Sequence, residues 1–267
     1  MQARIVLPAV LTVAAVAVAC TSPRTGVRNE LSLAGSDTML VLNRRLAEEY
    51  MRVHPGVAVR VAGGGTGSGV QALFDGEVEL CAASRPFTAD EVAALHQSFG
   101  TLGVRYLIAR DALSVFLHPS NPVRDLSMEQ LGRVFRGEIG RWTELGGDDR
   151  PIVIVVRPPN SGTYRFFRDH VLGGADYTSS ARVAAQTADV VDAVRGDPSA
   201  IGYGGLVFGP DLVHCRVDGA APAPQQIRDG SYPLARYLYL YSAGVAEGRT
   251  REFLDWCMGA DGQRVVE

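Results

Sequence analysis

Three stretches of the chain repeat one order of apolar and polar positions: a short β-type run, a cluster of Gly, Ser and Thr, then a helix-type run. In the first, Leu31-Ser32-Leu33-Ala34 leads into Gly35-Ser36-Asp37-Thr38 and a helix with Met39, Leu42, Leu46 and Tyr50 on one face. In the second, Val57, Val59 and Val61 alternate as in a strand, followed by GGGTGSG (63–69) and a helix through Val70, Leu73 and Phe74. In the third, Ile152 to Val156 is followed by RPPNSGT (157–163) and a helix with Phe166, Phe167 and Val171. Further helices are predicted over Ala89–Phe99, Ser127–Phe135, Ala181–Arg195 and Thr250–Met258. Further strands are predicted over Val78–Ala82, Leu113–Leu117, Ile201–Tyr203 and Arg236–Tyr241. Asn121-Pro122 marks a turn, and Gly146 to Pro151 a loop. Strands alternating with helices predict an α/β fold with largely parallel sheets.

The first twenty residues do not belong to that pattern. Arg4 gives a positive start, Ile5 to Ala19 is almost unbroken apolar sequence, and small residues precede Cys20. The run is short for a membrane span and has the form of a secretory signal. The Cys after Ala17-Val18-Ala19 makes it resemble a bacterial lipoprotein signal, with residues 1–19 removed and Cys20 acylated; an ordinary signal with an incidental Cys is the alternative. Polar residues 20–29 then read as a tether. Such a compartment is oxidising, so one disulfide among Cys81, Cys215 and Cys257 is conceivable, and buried thiols are the other option.

Composition removes several functions. With 267 residues, 46% of them hydrophobic, the chain can bury one large core or two medium ones. The net charge of −3 and the lack of a basic tract give no footprint for nucleic acid. There is no lysine, so the ATPase phosphate loop with its Gly-Lys-Ser/Thr ending is excluded. GGGTGSG has no acidic residue at a strand end about twenty positions on, which argues against a dinucleotide fingerprint. The five His are scattered, no Gly-x-Ser-x-Gly elbow is present, and no metal spacing or nucleophile–base pair points to an enzyme.

What remains is the set of strand-to-helix junctions. A helix N-terminus leaves unpaired N–H groups and a partial positive charge. Glycine allows close approach, and Ser and Thr add hydroxyl donors. Parallel α/β sheets bring such junctions to one edge, where several can surround a single small anion. Arg157, directly after an apolar strand, lies on that edge. Each junction has a plainer reading: Ser36, Asp37 and Thr38 as helix caps, the glycine run as a flexible turn.

In order and spacing, residues 31–267 resemble the phosphate-binding proteins of bacterial ABC importers. The resemblance rests on AGSDTM (34–39), GGGTGSGV (63–70), ASRPF (83–87), NPVRDLSMEQLGRVFRGEIGRWTEL (121–145), RPPNSGTYRFF (157–167) and AIGYGG (200–205). It implies a two-lobed periplasmic-binding-protein fold of type II with mixed, mostly parallel sheets. One lobe would hold 30–112 plus 203–267 and the other 113–202, with crossings near Asp111–Val115 and Ile201–Gly205. It further implies a monomeric phosphate receptor without cofactor that docks on importer permease subunits; the signal at 1–20 would hold it at the membrane by the lipid on Cys20.

The resemblance also implies site roles. Ser36, Asp37 and Thr38 form the first loop, with the Thr38 hydroxyl and the Met39 N–H as donors. Thr66 donates with help from Gly67 or Ser68, and Arg157 pairs with phosphate oxygens. Ser161, Gly162 and Thr163 cap the anion at a helix start. Ser84 and Arg85 occupy the loop after the strand at Val78–Ala82. Some members carry Asp at the Arg85 position, where it accepts the proton of hydrogen phosphate; Arg cannot. Asp37 is the candidate substitute acceptor, with helix capping as the alternative. Sulfate and molybdate remain competing ligands.

Overall fold

The computed structural model describes residues 30–266. The expected signal, the lipidated Cys20 and the tether lie outside the described residues. The chain opens with β1 (Glu30–Gly35), α1 (Leu40–Val53), β2 (Ala58–Ala62), α2 (Thr66–Phe74), β3 (Leu80–Ala83) and α3 (Ala89–Phe99). β1 pairs in parallel with β2 on one side and β3 on the other. Leu31 and Leu33 of β1 are buried with Leu46, Ala47 and Tyr50 of α1, which is the pairing of a period-two strand with a period-3.6 helix face. The other face of the sheet is covered by Val70, Leu73 and Leu95 of α2 and α3.

β4 (Val104–Leu117) is longer than the predicted Leu113–Leu117 and is the spine of the molecule. It is followed by β5 (Asp125–Leu126), α4 (Met128–Phe135), β6 (Val153–Val156), α5 (Gly162–Val171), β7 (Arg182–Val183), α6 (Thr187–Gly196), β8 (Ala200–Gly205), β9 (Val213–Val217) and α7 (Pro224–Asp229). β10 (Ala235–Ser242), α8 (Gly248–Met258) and α9 (Ala260–Val266) complete the chain. Residues 104–112 of β4 pair with β10, and residues 113–117 pair with β8 and β9. One strand thus serves both lobes, and the first crossing is the peptide between Ala112 and Leu113. The strand order β2-β1-β3-β10-β4-β8-β6-β7 is antiparallel from β3 to β8 and parallel at both ends. The mixed α/β, two-lobed architecture is as expected.

The return crossing differs from the expected one. Residues 201–205 lie inside β8, hydrogen-bonded between β4 and β6. The chain re-enters the first lobe at Leu234–Ala235, where Leu113 N–H donates to Leu234 O (2.9 Å) and Ala235 faces Ala112. Cys215, Val217, Ile227, Tyr232 and Leu234 share a core with Leu113, Trp142 and Phe167. Packing therefore assigns 206–234 to the second lobe. The expected boundary at 203 fell short because the strand Val213–Val217 was overlooked, although Val213, Cys215 and Val217 alternate with His214 and Arg216 as a half-buried strand does.

α6 also starts later than predicted. Residues 182–183 extend the sheet beside Val155 and Val156. The helix begins only after Gln186, whose N–H donates to Asp189 Oδ2 (2.9 Å) as in a capping box. Cys81, Cys215 and Cys257 are all free and buried. Burial holds each thiol above its ordinary range, so they behave as apolar packing groups.

Candidate anion site

The three Gly/Ser/Thr junctions meet where the lobes face each other. β1 ends at Gly35, with φ +143°; a Cβ there would lie 2.1 Å from Ala82 O, so only glycine lets the loop turn against β3. Ser36 N–H donates to that same carbonyl (2.9 Å), and Asp37–Met39 form a short 3-10 turn into α1. The second junction docks on the first through Gly65 N–H to Gly35 O (2.9 Å), which leaves Thr66 fully buried at the start of α2. On the opposite lobe, Ser161 caps α5 by accepting from Tyr164 N–H (3.4 Å).

These loops come within contact distance across the cleft. Thr38 Oγ1 and Thr163 Oγ1, 125 residues apart, are 2.9 Å from one another. A Cβ on Gly162 would stand 2.3 Å from Thr66 Oγ1 and 2.6 Å from Ser84 Oγ, so the first turn of α5 sits directly against both hydroxyls. Ser84 N–H donates to Thr66 Oγ1 (3.3 Å), while Ser84 Oγ is buried without a protein partner. Leaving a buried hydroxyl unpaired is unfavourable, which marks this spot as one that wants a polar ligand. Four hydroxyls and the starts of α2 and α5 therefore converge.

Arg157, 2% exposed, lies beside them. Its Nη2 donates to Asp37 Oδ2 (2.6 Å) and Ala185 O (2.9 Å), and its Nη1 to Thr187 Oγ1 (2.8 Å). Its Nε is buried without a partner. The other oxygen of Asp37 accepts Gly64 N–H (2.8 Å). Asp37 thus ties the glycine loop to an arginine of the other lobe, and no side-chain cap bond forms at the start of the 3-10 turn.

Other expected contributors are engaged by the protein itself. Met39 N–H donates to Ser36 O (3.0 Å) and Gly67 N–H to Asn160 O (2.9 Å). Ser68 Oγ donates to Gly64 O (2.9 Å) and accepts from Asn160 Nδ2 (3.3 Å). Arg85 is held by Glu91 through two bonds of 2.7 Å and donates to Pro86 O (2.8 Å).

Two participants were not singled out from sequence. Asn160 closes the loops across the cleft; it lies inside the NSGT run but carries no charge to draw attention. Arg236, 4% exposed on β10, donates from Nη1 to Thr163 Oγ1 (3.1 Å) and from Nε and Nη2 to Asp111 Oδ2 (3.2 and 3.1 Å). The available signal was one arginine on an otherwise apolar strand. Burial pushes the Asp111 carboxyl up and the Arg236 guanidinium down, and the ion pair opposes both. The three buried arginines at the site each have a carboxylate: Arg157 with Asp37, Arg236 with Asp111, Arg85 with Glu91. What is left for a ligand is a set of hydroxyl and N–H dipoles. Among the described residues no group of three or more His, Cys, Asp or Glu could hold a metal.

Comparison with known proteins identifies the family. A family described as the PBP superfamily domain matches residues 21–261. The phosphate-binding protein PstS of Pseudomonas aeruginosa is 30% identical, over 90% of this chain and 82% of its own. PstS of Bacillus subtilis is 29% identical over 88% and 77%. Among solved structures, a phosphate ABC transporter substrate-binding protein with bound phosphate from Clostridium perfringens superposes with a TM-score of 0.83 at 28% identity, covering 89% of this chain and 96% of that one. The chain accordingly belongs to the PBP superfamily and, within it, to the family of the phosphate-binding protein PstS.

Proposed function

We propose that the chain is an extracytoplasmic receptor that closes its two lobes over inorganic phosphate and presents it to the permease of an ABC importer. The observation that carries this is the convergence of Thr38, Thr66, Ser84 and Thr163 hydroxyls with the first turns of α2 and α5. Hydrogen bonds to a charged group contribute about 1.5–3 kcal/mol each. Six or so such bonds exceed the roughly 8 kcal/mol of micromolar binding, before closure and desolvation reduce the sum. Arg157, whose charge is offset by Asp37, adds its unpartnered Nε–H from the second lobe. Lipidation of Cys20, a monomeric state and docking on the permease complete the proposal; the sequence signal at 1–20 and the family support them. No described helix is long and apolar enough to cross a membrane.

Asp37 is the proposed selectivity element. It is the carboxylate nearest the loops, and a carboxylate accepts the proton of hydrogen phosphate but repels sulfate, which has none to offer. Calorimetry with phosphate, sulfate and molybdate on wild type and Asp37→Asn tests both statements. Phosphate is expected to release the largest heat and bind most tightly, and Asp37→Asn to narrow its lead over sulfate. Binding of sulfate or molybdate in place of phosphate would overturn the phosphate assignment. Unchanged selectivity in the variant would reduce Asp37 to a bridge between loops.

A further inference from the structure

The crossing strands and the anion loops are joined by one buried side chain. Arg236 is the second residue of β10, directly after the return crossing at Leu234–Ala235. It is fixed from below by Asp111, the residue before Ala112 at the other crossing, through two hydrogen bonds to one carboxylate oxygen. Both residues belong to the first lobe, yet the rest of the guanidinium reaches the second. Nη1 donates to Thr163 Oγ1 (3.1 Å), and the guanidinium carbon stands 5.5 Å from the centre of the Phe166 ring. Thr163 and Phe166 are three residues apart on α5, on one face of its first turn.

We infer that Arg236, braced by Asp111 at the hinge, is a clamp that holds the first turn of α5 against the first lobe and so positions Thr163 for the anion. A planar guanidinium suits the task, because its fixed fork satisfies Asp111 on one edge and still presents a donor and a flat face to α5. Asp111 and Arg236 are in adjacent strands, opposite one another, and stay paired whichever way the lobes stand. The bonds to Thr163 and Phe166 exist only with the lobes together. Thr163 Oγ1 also shares a hydrogen bond with Thr38 Oγ1, so the clamp fixes a hydroxyl pair drawn from both lobes. Arg236 is a positioning residue: its effect on the ligand runs through Thr163.

The experiment compares wild type, Asp111→Asn, and Arg236→Met in the Asp111→Asn background, which avoids leaving a buried carboxylate without its partner. Small-angle scattering without anion reads the lobe equilibrium, and calorimetry with inorganic phosphate reads affinity. The clamp requires a larger radius of gyration in the double variant than in wild type, with Asp111→Asn, which loosens the brace, in between. It also requires phosphate Kd to rise about tenfold, the loss of roughly one well-placed hydrogen bond, mainly through faster release. Thr163→Val added to the double variant should cost no further affinity beyond a small remainder, since the two side chains act as one unit. Scattering and Kd equal to those of wild type would overturn the clamp, and so would losses that add in full. If Arg236→Met does not fold, Arg236→Lys keeps a charge beside Asp111 while losing the fork; wild-type scattering and affinity in that variant would also overturn it. The ligand arm rests on the phosphate reading. Wild-type protein that binds no phosphate would sink that reading alone, and the scattering arm would still decide the clamp.

Discussion

Arg85 and Arg157 occupy nearly the same sequence setting and do opposite things. Each follows a buried apolar strand, β3 or β6, and each directly precedes a proline. Each is almost fully buried and ion-paired, Arg85 with Glu91 at 2.7 Å and Arg157 with Asp37 at 2.6 Å. The difference is where the carboxylate comes from. Glu91 is six residues on, in the first turn of α3, where it also accepts Thr88 N–H as the far half of a capping box. Asp37 is 120 residues away on the other lobe. The first pair is a local staple that persists however the lobes stand. The second is made when the lobes meet and lost when they part. Two arginines that look alike along the chain therefore separate into one that shapes a loop and one that reports closure.

Arg157→Ala tests the closure side and carries the largest expected effect. Breaking a buried ion pair by removing one partner costs about 3–5 kcal/mol, because the other charge is left uncompensated. Here that cost falls on the closed state alone, since opening returns Asp37 to water. Phosphate Kd is expected to weaken at least tenfold, while the melting temperature without ligand stays near that of wild type. Calorimetry and thermal unfolding on the same sample check both. A large drop in ligand-free stability with unchanged affinity would assign Arg157 to the staple class and erase the contrast.

Arg85→Met tests the other side. It removes two hydrogen bonds from Glu91, which keeps its bond from Thr88 N–H. The loss is expected to be about 1–3 kcal/mol of folding stability, read by urea unfolding, with phosphate affinity changed less than threefold. A tenfold or greater loss of affinity at wild-type stability would return Arg85 to the anion site.

The same contrast explains what could be read from the chain. The junction loops and Arg157 were legible because Gly, Ser and Thr clusters after apolar runs have few other uses, and because their order matches a known family. α3 was placed to the residue, bounded by Thr88 and Gly100 as caps. Partner identity was not legible where it depends on distance through space. Arg85 has no sequence mark that it turns to Glu91, although Thr88-x-x-Glu91 is a capping-box pattern and placed the glutamate close by. Arg236 was passed over because its alternation with Leu238 and Leu240 reads as strand packing, and Asp111, 125 residues earlier, cannot be paired with it from one sequence. The second lobe was drawn too short for a related reason. β9 alternates Val213, Cys215 and Val217 with polar residues, but which lobe it joins is decided by its pairing with β4 and β5, which one sequence does not give.

The smallest effect concerns acid, and it isolates the staple. Burial alone would raise the Glu91 carboxyl, but the hydrogen bonds from Arg85 and the Thr88 N–H, with the Arg85 charge, hold it below its ordinary value of 4.5. An unfolded chain takes up this proton near pH 4.5, and the folded chain only at lower pH. In that interval the unfolded state binds more protons, so acid favours unfolding. The stabilisation from Glu91 is therefore complete above pH 4.5 and disappears as pH falls through the folded value. Glu91→Gln can still accept from Thr88 N–H but carries no charge for Arg85 and no proton to gain. The gap in unfolding free energy between wild type and variant, measured by urea titration from pH 7 to pH 3, should be constant down to about pH 4.5 and shrink below it. All other carboxylates are common to both proteins and cancel in that difference. Asp37 is among them, so a gap that shrinks shows the staple losing its charge with the interlobe pair left out of account, and a gap that stays constant to pH 3 would mean Arg85 and Glu91 are not paired as described.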